Sequence, residues 1–434
     1  MLKKVTLIFA VVIMTATLSL AQWVNQGSWP ANSPQPKGQN HALAVDPDGK
    51  VWVGWWGPKA KFGVAPGDTL KKSVYLIFVF KPDGTQASFS PIWRLDGPGF
   101  QDTLLTTNRG FRTNVDGNIL MVTGSNPTPN YMYLIDYKTG KALKRVQLKY
   151  TAAAPAVAKT SKVIFVAPVV GSPTNPIEMY DQNFTLIGNA LDKTTSFSRS
   201  FEVSEDGNTI YWAGYTLGKV LVYNRADEFS SFTLKDSIME GARAESFTWH
   251  PVKKEQLWIS GGSNNDKPNP PFTMGTWYAF DVKQKKVVDS LKWKFADPAK
   301  PDERPRALGF SPDGKIAYLG TFGTANSDLV QKVVFGGSAV EKLDEIPVGY
   351  ELSQNYPNPF NPTTNIKFSL PKEGFVTLRV YNSIGQEVAT LVNDFKSAGS
   401  YQVDFNANNL SSGVYVYTLS VGNYKISKKM MLMK

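Results

Sequence analysis

The stretch ALAVDPDGKVWVG, residues 42–54, places apolar residues on both sides of an Asp-Gly turn. This pattern predicts two antiparallel strands joined by a tight hairpin, because Asp and Gly tolerate the positive φ angles that such turns need. The chain carries six copies of this strand-turn-strand unit, and the repeat decides the fold. The other copies lie at 111–124, 201–214 and 307–320, with degenerate versions at 155–167 and 246–261.

A second hairpin pattern follows most of the copies, as in YLIFVFKPDGTQ at residues 75–86 and YLIDYKTGKAL at 133–143. Four short strands in roughly 45 residues are typical of a β-propeller blade, because such a sheet buries both faces only when its neighbours stack around an axis. The repeat therefore predicts an all-β chain with a six-bladed propeller over residues 22–340. Trp23-Val24-Asn25 is expected to complete the last blade, which removes an open sheet edge.

The number of blades depends on the interval from Gly49 to Gly117, which is the longest between successive turns. We assign its extra residues to an insertion at Pro58–Lys71. The alternative is that this interval contains a seventh blade. The turns Asp46-Pro47-Asp48-Gly49 and Ser311-Pro312-Asp313-Gly314 resemble those of the YVTN, NHL and lyase-type propeller families. This resemblance implies the propeller fold.

Composition excludes many kinds of chemistry. The 434 residues include no Cys and only two His, His41 and His250. Disulfides, zinc-thiolate sites, iron–sulfur clusters, cysteine nucleophiles and His-rich metal sites are therefore excluded. Charged residues make up 19% of the chain, and 35 Gly and 28 Pro interrupt it often, as expected for many short strands and turns. We predict no metal and no cofactor.

The N-terminus has the pattern of a secretory signal peptide at residues 1–21. Lys3 and Lys4 precede an apolar run from Val5 to Leu20, which ends in small residues suited to cleavage before Gln22. An uncleaved membrane anchor is the alternative, but the run is short for a membrane span. No later segment approaches a span, so we expect an exported mature chain with no integral membrane segment.

The C-terminal region alternates apolar and polar residues over six short stretches separated by Gly and Asn, which predicts a small Ig-like antiparallel sandwich. The prolines within Tyr356–Pro362 cannot donate ladder hydrogen bonds, so this segment is expected to form an extended cap or an edge. We predict a linker at 341–349 and the sandwich domain at 350–434. The six predicted strands are Asn365–Leu370, Phe375–Tyr381, Glu387–Val392, Tyr401–Phe405, Val414–Val421 and Tyr424–Met433.

The same region contains four short motifs. They are Tyr356-Pro357-Asn358-Pro359-Phe360-Asn361-Pro362, the stretch from Val380-Tyr381-Asn382 to Gly385, Leu410-Ser411-Ser412-Gly413-Val414-Tyr415, and the basic tail Lys425–Lys429. Together they resemble the type A C-terminal sorting domain of the type IX secretion system. The resemblance implies Sec export to the periplasm, passage across the outer membrane with the secretion machinery as a partner, and release or surface attachment of the rest of the chain.

Loop lengths give the predicted propeller two different faces. In each unit the turns between the first and second strands and between the third and fourth are tight, whereas the other connections are long and emerge together. Function tends to lie on such loops over a rigid scaffold. Counting eight positions back from each turn reaches the start of the innermost strand at the channel mouth, and gives His41, Arg109, Ala153, Arg199, Glu245 and Arg306.

Five of these six residues are ionisable. We predict a mostly cationic ring that holds a carboxylate, sulfate or phosphate, because the planar guanidinium of Arg pairs bidentately with such anions. The alternative is that these side chains line a water-filled channel and pair with neighbouring Asp or Glu.

Other candidate sites have less support from the sequence. The turn Asp46-Pro47-Asp48-Gly49 lacks the downstream ligands of a calcium loop, and no Gly-x-Ser-x-Gly elbow accompanies the two His. Glu202 and Glu245 are a possible carboxylate pair for acid–base chemistry. His250 precedes a proline at a turn, which favours a structural role.

Tryptophans offer a second type of candidate surface, since a flat aromatic face suits sugar stacking. Trp52, Trp212 and Trp258 occupy equivalent strand positions and are expected in the core. Trp55 and Trp56 stand at the start of the first insertion and are candidates for a ligand surface.

The net charge of +11 forms no Lys/Arg stripe, so we expect no nucleic-acid partner. The excess of positive charge suits an acidic polysaccharide or a surface protein better than a nucleic acid. Two functions stay open: a secreted or cell-surface propeller that binds a polysaccharide, peptide or protein partner on its loop-rich face, and an extracellular hydrolase or lyase at the channel mouth. The lack of a metal constellation and of a nucleophile motif favours binding over catalysis.

Overall fold

The computed structural model describes residues 23–30, 42–54, 60–62, 72–124, 129–169, 175–214, 216–299, 301–322, 330–335, 340–343, 349–396 and 398–434. Within these ranges the chain forms strands, turns and loops and no helix, so the all-β prediction is confirmed. None of the described residues therefore forms a helix long and apolar enough to cross a membrane. The predicted signal peptide, His41, Trp55 and Trp56 lie outside the described residues.

The strands that the structure describes up to residue 335 form six small antiparallel sheets and two separate hairpins. In chain order they are β1 (Trp23–Trp29), β2 (Ala42–Val45), β3 (Val51–Gly54), β4 (Ala60–Phe62), β5 (Lys72–Val74), β6 (Ile77–Phe80), β7 (Arg94–Gly97), β8 (Phe100–Thr103), β9 (Asn108–Thr113), β10 (Ile119–Thr123), β11 (Asn130–Ile135), β12 (Ala142–Leu148), β13 (Ala156–Val157), β14 (Ile164–Val166), β15 (Ile177–Tyr180), β16 (Leu186–Leu191), β17 (Phe201–Val203), β18 (Thr209–Gly214), β19 (Lys219–Asn224), β20 (Thr233–Ile238), β21 (Phe247–Trp249), β22 (Gln256–Ser260), β23 (Thr276–Asp281), β24 (Lys286–Lys292), β25 (Arg304–Phe310), β26 (Ile316–Phe322) and β27 (Val330–Phe335). Sheet 1 is β2-β3-β6, sheet 2 is β9-β10-β11-β12, sheet 3 is β13-β14-β15-β16, sheet 4 is β17-β18-β19-β20, sheet 5 is β21-β22-β23-β24, and sheet 6 is β25-β26-β27-β1.

Sheet 6 joins the two ends of this region. Strand β1 pairs antiparallel with β27, with Trp23 opposite Phe335 and Asn25 opposite Val333, which is the closure predicted for Trp23-Val24-Asn25. The longest interval, between Gly49 and Gly117, holds the hairpins β4–β5 and β7–β8, and its described residues form no further four-stranded sheet.

The first strands of the six sheets surround one axis. Strand β2 contacts β9 and β25, β21 contacts β17 and β25, and β13 contacts β17. Strands β9 and β13 also approach closely, since a Cβ on Gly110 would lie 2.4 Å from the Cα of Ala154. The contacts therefore run around a closed ring of first strands.

The core lies between neighbouring sheets. Six hydrophobic clusters each join two consecutive sheets, and one of them joins sheet 6 back to sheet 1 through Leu43 and Tyr318. Trp52, Trp212 and Trp258 are all buried in these clusters, as their equivalent positions in the repeat predicted. The apolar residues of the repeat thus pack between neighbouring sheets.

Tight turns mark one end of the ring, which we call the turn face. Gly49, Gly117 and Gly314 adopt φ angles of +78°, +86° and +69°, which favour glycine. Neighbouring turns touch each other: a Cβ on Gly117 would lie 2.4 Å from Pro47, and one on Gly314 would lie 2.3 Å from His250. The longer connections leave from the opposite end, which we call the loop face.

The C-terminal region forms two four-stranded antiparallel sheets, with one shared core that includes Phe360, Phe368 and Tyr417. All six predicted strands are present close to their predicted bounds. The strands are β28 (Val340–Leu343), β29 (Glu351–Leu352), β30 (Thr363–Leu370), β31 (Gly374–Tyr381), β32 (Glu387–Lys396), β33 (Gly399–Asn406), β34 (Gly413–Val421) and β35 (Tyr424–Leu432). The sheet orders are β28-β33-β30-β29 and β32-β31-β34-β35. Strand β28 spans the predicted junction at residue 340 and pairs with β33, so residues 340–343 belong to the C-terminal sheet.

Candidate functional site

A cavity of about 70 Å³, which we call the axial cavity, lies on the axis at the loop face, where the first strands begin. Its walls come from all six sheets. Four of the residues predicted for the channel mouth line it together: Arg109, Arg199, Glu245 and Arg306.

Small side chains bring the six first strands close enough to form this cavity. The position next to each predicted mouth residue carries Ala, Gly or Ser, and a larger side chain there would push the backbones apart. These small residues also line the axial cavity: Ala42, Gly110, Ala154, Ser200, Ser246 and Ala307.

Two ion pairs hold two of the three arginines in place. Nε of Arg306 donates to Glu245, and Nε of Arg199 donates to Asp266 at 3.1 Å. Glu245 also accepts a hydrogen bond of 2.6 Å from Oγ of Ser263. Sequence reasoning missed Ser263 and Asp266, which lie in the long loop between β22 and β23. The signal for them was the polar run Ser263–Asp266 in a loop of the elaborated face.

The axial cavity has an excess of positive charge. Three guanidinium groups belong to the cluster, against the two carboxylates of Glu245 and Asp266. Burial, together with the charges of Arg199 and Arg306, lowers the pKa of Arg109 to about 10. Burial also lowers the pKa of Arg306, although Glu245 opposes this effect. The arginines therefore repel one another at close range.

One guanidinium nitrogen in the cluster lacks a partner. The side chain of Arg306 is only 9% exposed, and among the described residues no group accepts a hydrogen bond from its buried Nη2. A buried charged donor without an acceptor is unfavourable, and it is rare in folded proteins. This nitrogen is therefore available to an acceptor that enters the axial cavity.

A second and larger cavity, of about 480 Å³, lies on the axis at the turn face. Pro47, Pro251 and Pro312 from three of the turns line it, together with Trp249. Arg112 lines both cavities and so lies between them.

The two carboxylates considered for acid–base chemistry do not share a cavity. Glu245 lines the axial cavity and pairs with Arg306, whereas Glu202 lines the cavity at the turn face and pairs with Arg112 at 2.9 Å. Burial raises the pKa of each carboxyl group, and the arginine beside it opposes the rise. Each is therefore part of a structural ion pair, and the predicted carboxylate pair is not formed.

The residues of the other candidate sites are occupied by structural contacts. Asp46 accepts hydrogen bonds from Nε1 of Trp52 at 2.9 Å and from the backbone N–H of Lys50 at 2.9 Å, as a turn residue does. Nδ1 of His250 accepts from the N–H groups of Val252 and Lys253. No cluster of three or more His, Asp or Glu that would suit a metal ion occurs in the part of the chain that the structure describes.

The proline motif of the C-terminal domain is clamped by buried hydrogen bonds. Nδ2 of Asn355 donates to Oγ1 of Thr364 at 2.9 Å, and the N–H of Asn355 donates to Oη of Tyr417 at 2.8 Å. Phe360 is buried in the core, whereas Tyr356 is 80% exposed. The motif thus forms an extended edge fixed on the sandwich, as predicted.

The rest of the motif residues have similar roles. Oδ1 of Asn358 accepts from the N–H of Met431 at 2.9 Å, which ties the motif to the last strand. Oη of Tyr415 donates to the carbonyl of Ser411 at 2.7 Å. Gly385 and Gly413 have φ angles of +80° and +157° at turns or strand ends.

Comparisons with known proteins bear on the C-terminal domain. A family model described as a secretion system C-terminal sorting domain matches residues 354–433. This match indicates export of the chain by type IX secretion to the cell surface or outside, with the secretion machinery as partner, as the sequence predicted. A sequence search of curated proteins found no match.

Two solved structures are similar to the chain at low identity. One is a chain of the crystal structure of the mitotic checkpoint complex, with 13% identity, a TM-score of 0.43, and coverage of 77% of this chain and 99% of that chain. The other is PorZ, an essential bacterial surface component of the type-IX secretion system of Porphyromonas gingivalis. It has 13% identity and a TM-score of 0.35, and the match covers 91% of this chain and 52% of that chain.

Proposed function

We propose that this exported protein is a binding protein whose first domain is a six-bladed β-propeller that holds an acidic group of its ligand in the axial cavity. The ligand is an acidic polysaccharide or an acidic surface protein that approaches the loop face. The C-terminal domain, in this proposal an Ig-like sandwich, serves only export and attachment.

The six sheets and their contacts support the propeller. Each of the six sheets packs on its two neighbours, five of them have four strands and sheet 1 has three, the first strands surround one axis, and β1 completes sheet 6. A ring closed in this way leaves short, protected edges and places all long connections on one face.

The observation that carries the proposed function is the unpartnered Nη2 of Arg306 inside a cluster of three arginines. Leaving a buried charged donor unsatisfied costs about 1–3 kcal/mol. An oxyanion in the axial cavity would accept this hydrogen bond and reduce the repulsion among Arg109, Arg199 and Arg306. Binding therefore removes a cost that the unliganded fold bears.

Substitution of single arginines tests this proposal. Arg109→Gln and Arg199→Gln should each weaken sulfate binding about ten- to a hundredfold, because each removes a charged hydrogen bond of about 1.5–3 kcal/mol. Arg225→Gln is the matched control, since Arg225 directly follows β19 of sheet 4 and its Nε donates to Oδ1 of Asn208 outside the axial cavity. Calorimetric titration with sodium sulfate at constant ionic strength measures the affinities.

Stability separates a binding role from a structural one. Removing Arg109 should leave the melting temperature unchanged or raise it, because burial and then the charges of Arg199 and Arg306 disfavour the charged form of Arg109 in the fold. Equal sulfate affinities in wild type and both variants, or unfolding of Arg109→Gln, would mean that the arginines tie the sheets together and bind no ligand.

A further inference from the structure

The geometry points to a blind pocket that takes one sulfate ester group, presented at the end of the ligand. This inference rests on the proposed function and adds the ligand's chemical class and its mode of entry. It follows from the floor of the axial cavity, from its size, and from the placement and sum of its charges.

Arg112 forms the floor. Its Nε donates to the carbonyl of Pro155 at 3.1 Å, its Nη1 donates to Oγ1 of Thr248 at 3.2 Å, and its Nη2 pairs with Glu202 at 2.9 Å. Arg112 lies on β9 of sheet 2, and these partners lie beside β13, on β21 and on β17. One side chain thus spans the axis and bonds to three other sheets.

An acidic polymer cannot thread through this floor. Leu43, Phe111, Thr248 and Leu308, like Arg112, line both the axial cavity and the cavity at the turn face, so they lie between the two cavities. All three nitrogens of Arg112 are engaged, so moving the side chain would break bonds to several sheets. A ligand therefore reaches the arginines only from the loop face and only with its end.

The size of the axial cavity limits what enters. Its volume of about 70 Å³ is room for about five water molecules at about 10–15 Å³ each. One oxyanion group fits this space, whereas a sugar ring with its hydroxyl groups is too large. The rest of the ligand must therefore stay outside, over the loops.

The arginines come from alternate sheets. Arg109 belongs to sheet 2, Arg199 precedes β17 of sheet 4, and Arg306 belongs to sheet 6, so the three approach the axis from three directions. A tetrahedral oxyanion attached through one oxygen presents its other three oxygens in the same threefold way. A flat carboxylate has only two oxygens and would leave one arginine without an acceptor.

The sum of the charges distinguishes sulfate from phosphate esters. Three arginines against Glu245 and Asp266 give the cluster one net positive charge. A sulfate ester carries one negative charge and neutralises the net positive charge of the cluster. A phosphate monoester at pH 7 carries about 1.5–2 negative charges and would leave an excess of negative charge beside both carboxylates. A singly charged tetrahedral group is the best match in shape and charge.

Three acids of one sugar test the inference with the full-length mature protein. Galactose 6-sulfate should bind at least tenfold more tightly than galactose 6-phosphate and than galacturonate, by calorimetric titration at pH 7.5. Arg306→Gln combined with Glu245→Gln keeps the pair neutral and hydrogen-bonded and leaves the sum of the charges unchanged, but it removes one of the three arginines. It should therefore abolish the preference over galacturonate and keep the preference over the phosphate. Arg225→Gln should retain both preferences.

The outcomes separate this inference from the proposed function. Equal or tighter binding of galacturonate or of the phosphate would overturn the sulfate inference while leaving an acidic-ligand site. Binding of inorganic sulfate without binding of galactose 6-sulfate would overturn end-on entry. No binding of the sugars, of inorganic sulfate or of acetate would overturn the proposed function itself.

Discussion

His250 is buried in a turn at the end of β21, where the backbone fixes its ring. Nδ1 accepts two backbone hydrogen bonds, from Val252 at 3.2 Å and Lys253 at 3.0 Å, and the ring lies 5.0 Å from that of Phe310. Burial and then the charge of Lys253 lower the pKa of His250 to about 4, against an ordinary value of about 6.5 in the unfolded chain.

The contribution of His250 to stability should therefore decrease as the pH falls. Between pH 6.5 and 4 the unfolded chain binds a proton that the folded chain does not, so the free energy of unfolding falls by about 3 kcal/mol from this group. Above pH 6.5 both states are neutral at His250 and it adds no pH dependence. An NMR titration of the two histidines measures the folded pKa, and a midpoint near 6.5 for His250 would contradict the account.

At the scale of elements, the tight turns depend on glycine for two separable reasons. Gly314 has a φ of +69°, and a Cβ there would lie 2.3 Å from Cε1 of His250 in the neighbouring turn. Gly99, between β7 and β8, has a φ of +76°, but a Cβ added there would meet no described atom within 4 Å beyond its chain neighbours. A comparison of Gly99 with Gly314 therefore separates the effect of backbone strain from the effect of contact between sheets.

Alanine at these two positions should have unequal costs. Gly99→Ala should destabilise the domain by about 1–2 kcal/mol, the cost of a left-handed conformation for a residue with a Cβ. Gly314→Ala should cost about 1–3 kcal/mol more, because His250 must move out of a packed site. Urea unfolding of both variants measures the difference, and equal losses would mean that the turns of sheets 5 and 6 do not pack together.

Local sequence patterns predicted the strands well, but they did not predict contacts between residues that are far apart in the chain. The turn glycines and the apolar repeat identified the strands of the six sheets. Counting eight positions back from each turn also placed Arg109, Arg199 and Arg306 at one end of the axis. The role of Arg112 could not be predicted, because its partners come from three other sheets. Asp266 was missed because an irregular loop has no periodicity that places its side chains.

At the scale of the whole molecule, the two domains meet at a buried ion pair. Nζ of Lys332, on β27, lies 3.7 Å from Asp394 on β32 and donates to the carbonyl of Asn393 at 3.3 Å. Both charged side chains are buried, and Lys396 also pairs with Asp394 at 3.2 Å. The C-terminal domain thus packs against sheet 6 beyond its covalent connection.

Deletion of Tyr350–Lys434 should leave a folded first domain in the periplasm of the native host. The core of that domain lies between its own sheets, and the removed part contains the sorting domain. Fractionation of cells and medium measures the location, with the full-length chain as control. Normal amounts of the truncated protein at the cell surface or in the medium would contradict a sorting role for this domain.

The central claim is that three arginines on the axis bind an oxyanion. Crystals of the mature full-length chain, grown without sulfate and soaked in selenate, would locate the anion by the anomalous signal of selenium. We predict one selenium peak in the axial cavity, with oxygens within hydrogen-bond distance of Nη2 of Arg306 and of the guanidinium groups of Arg109 and Arg199. An axial cavity that holds only water in selenate-soaked crystals would contradict the account.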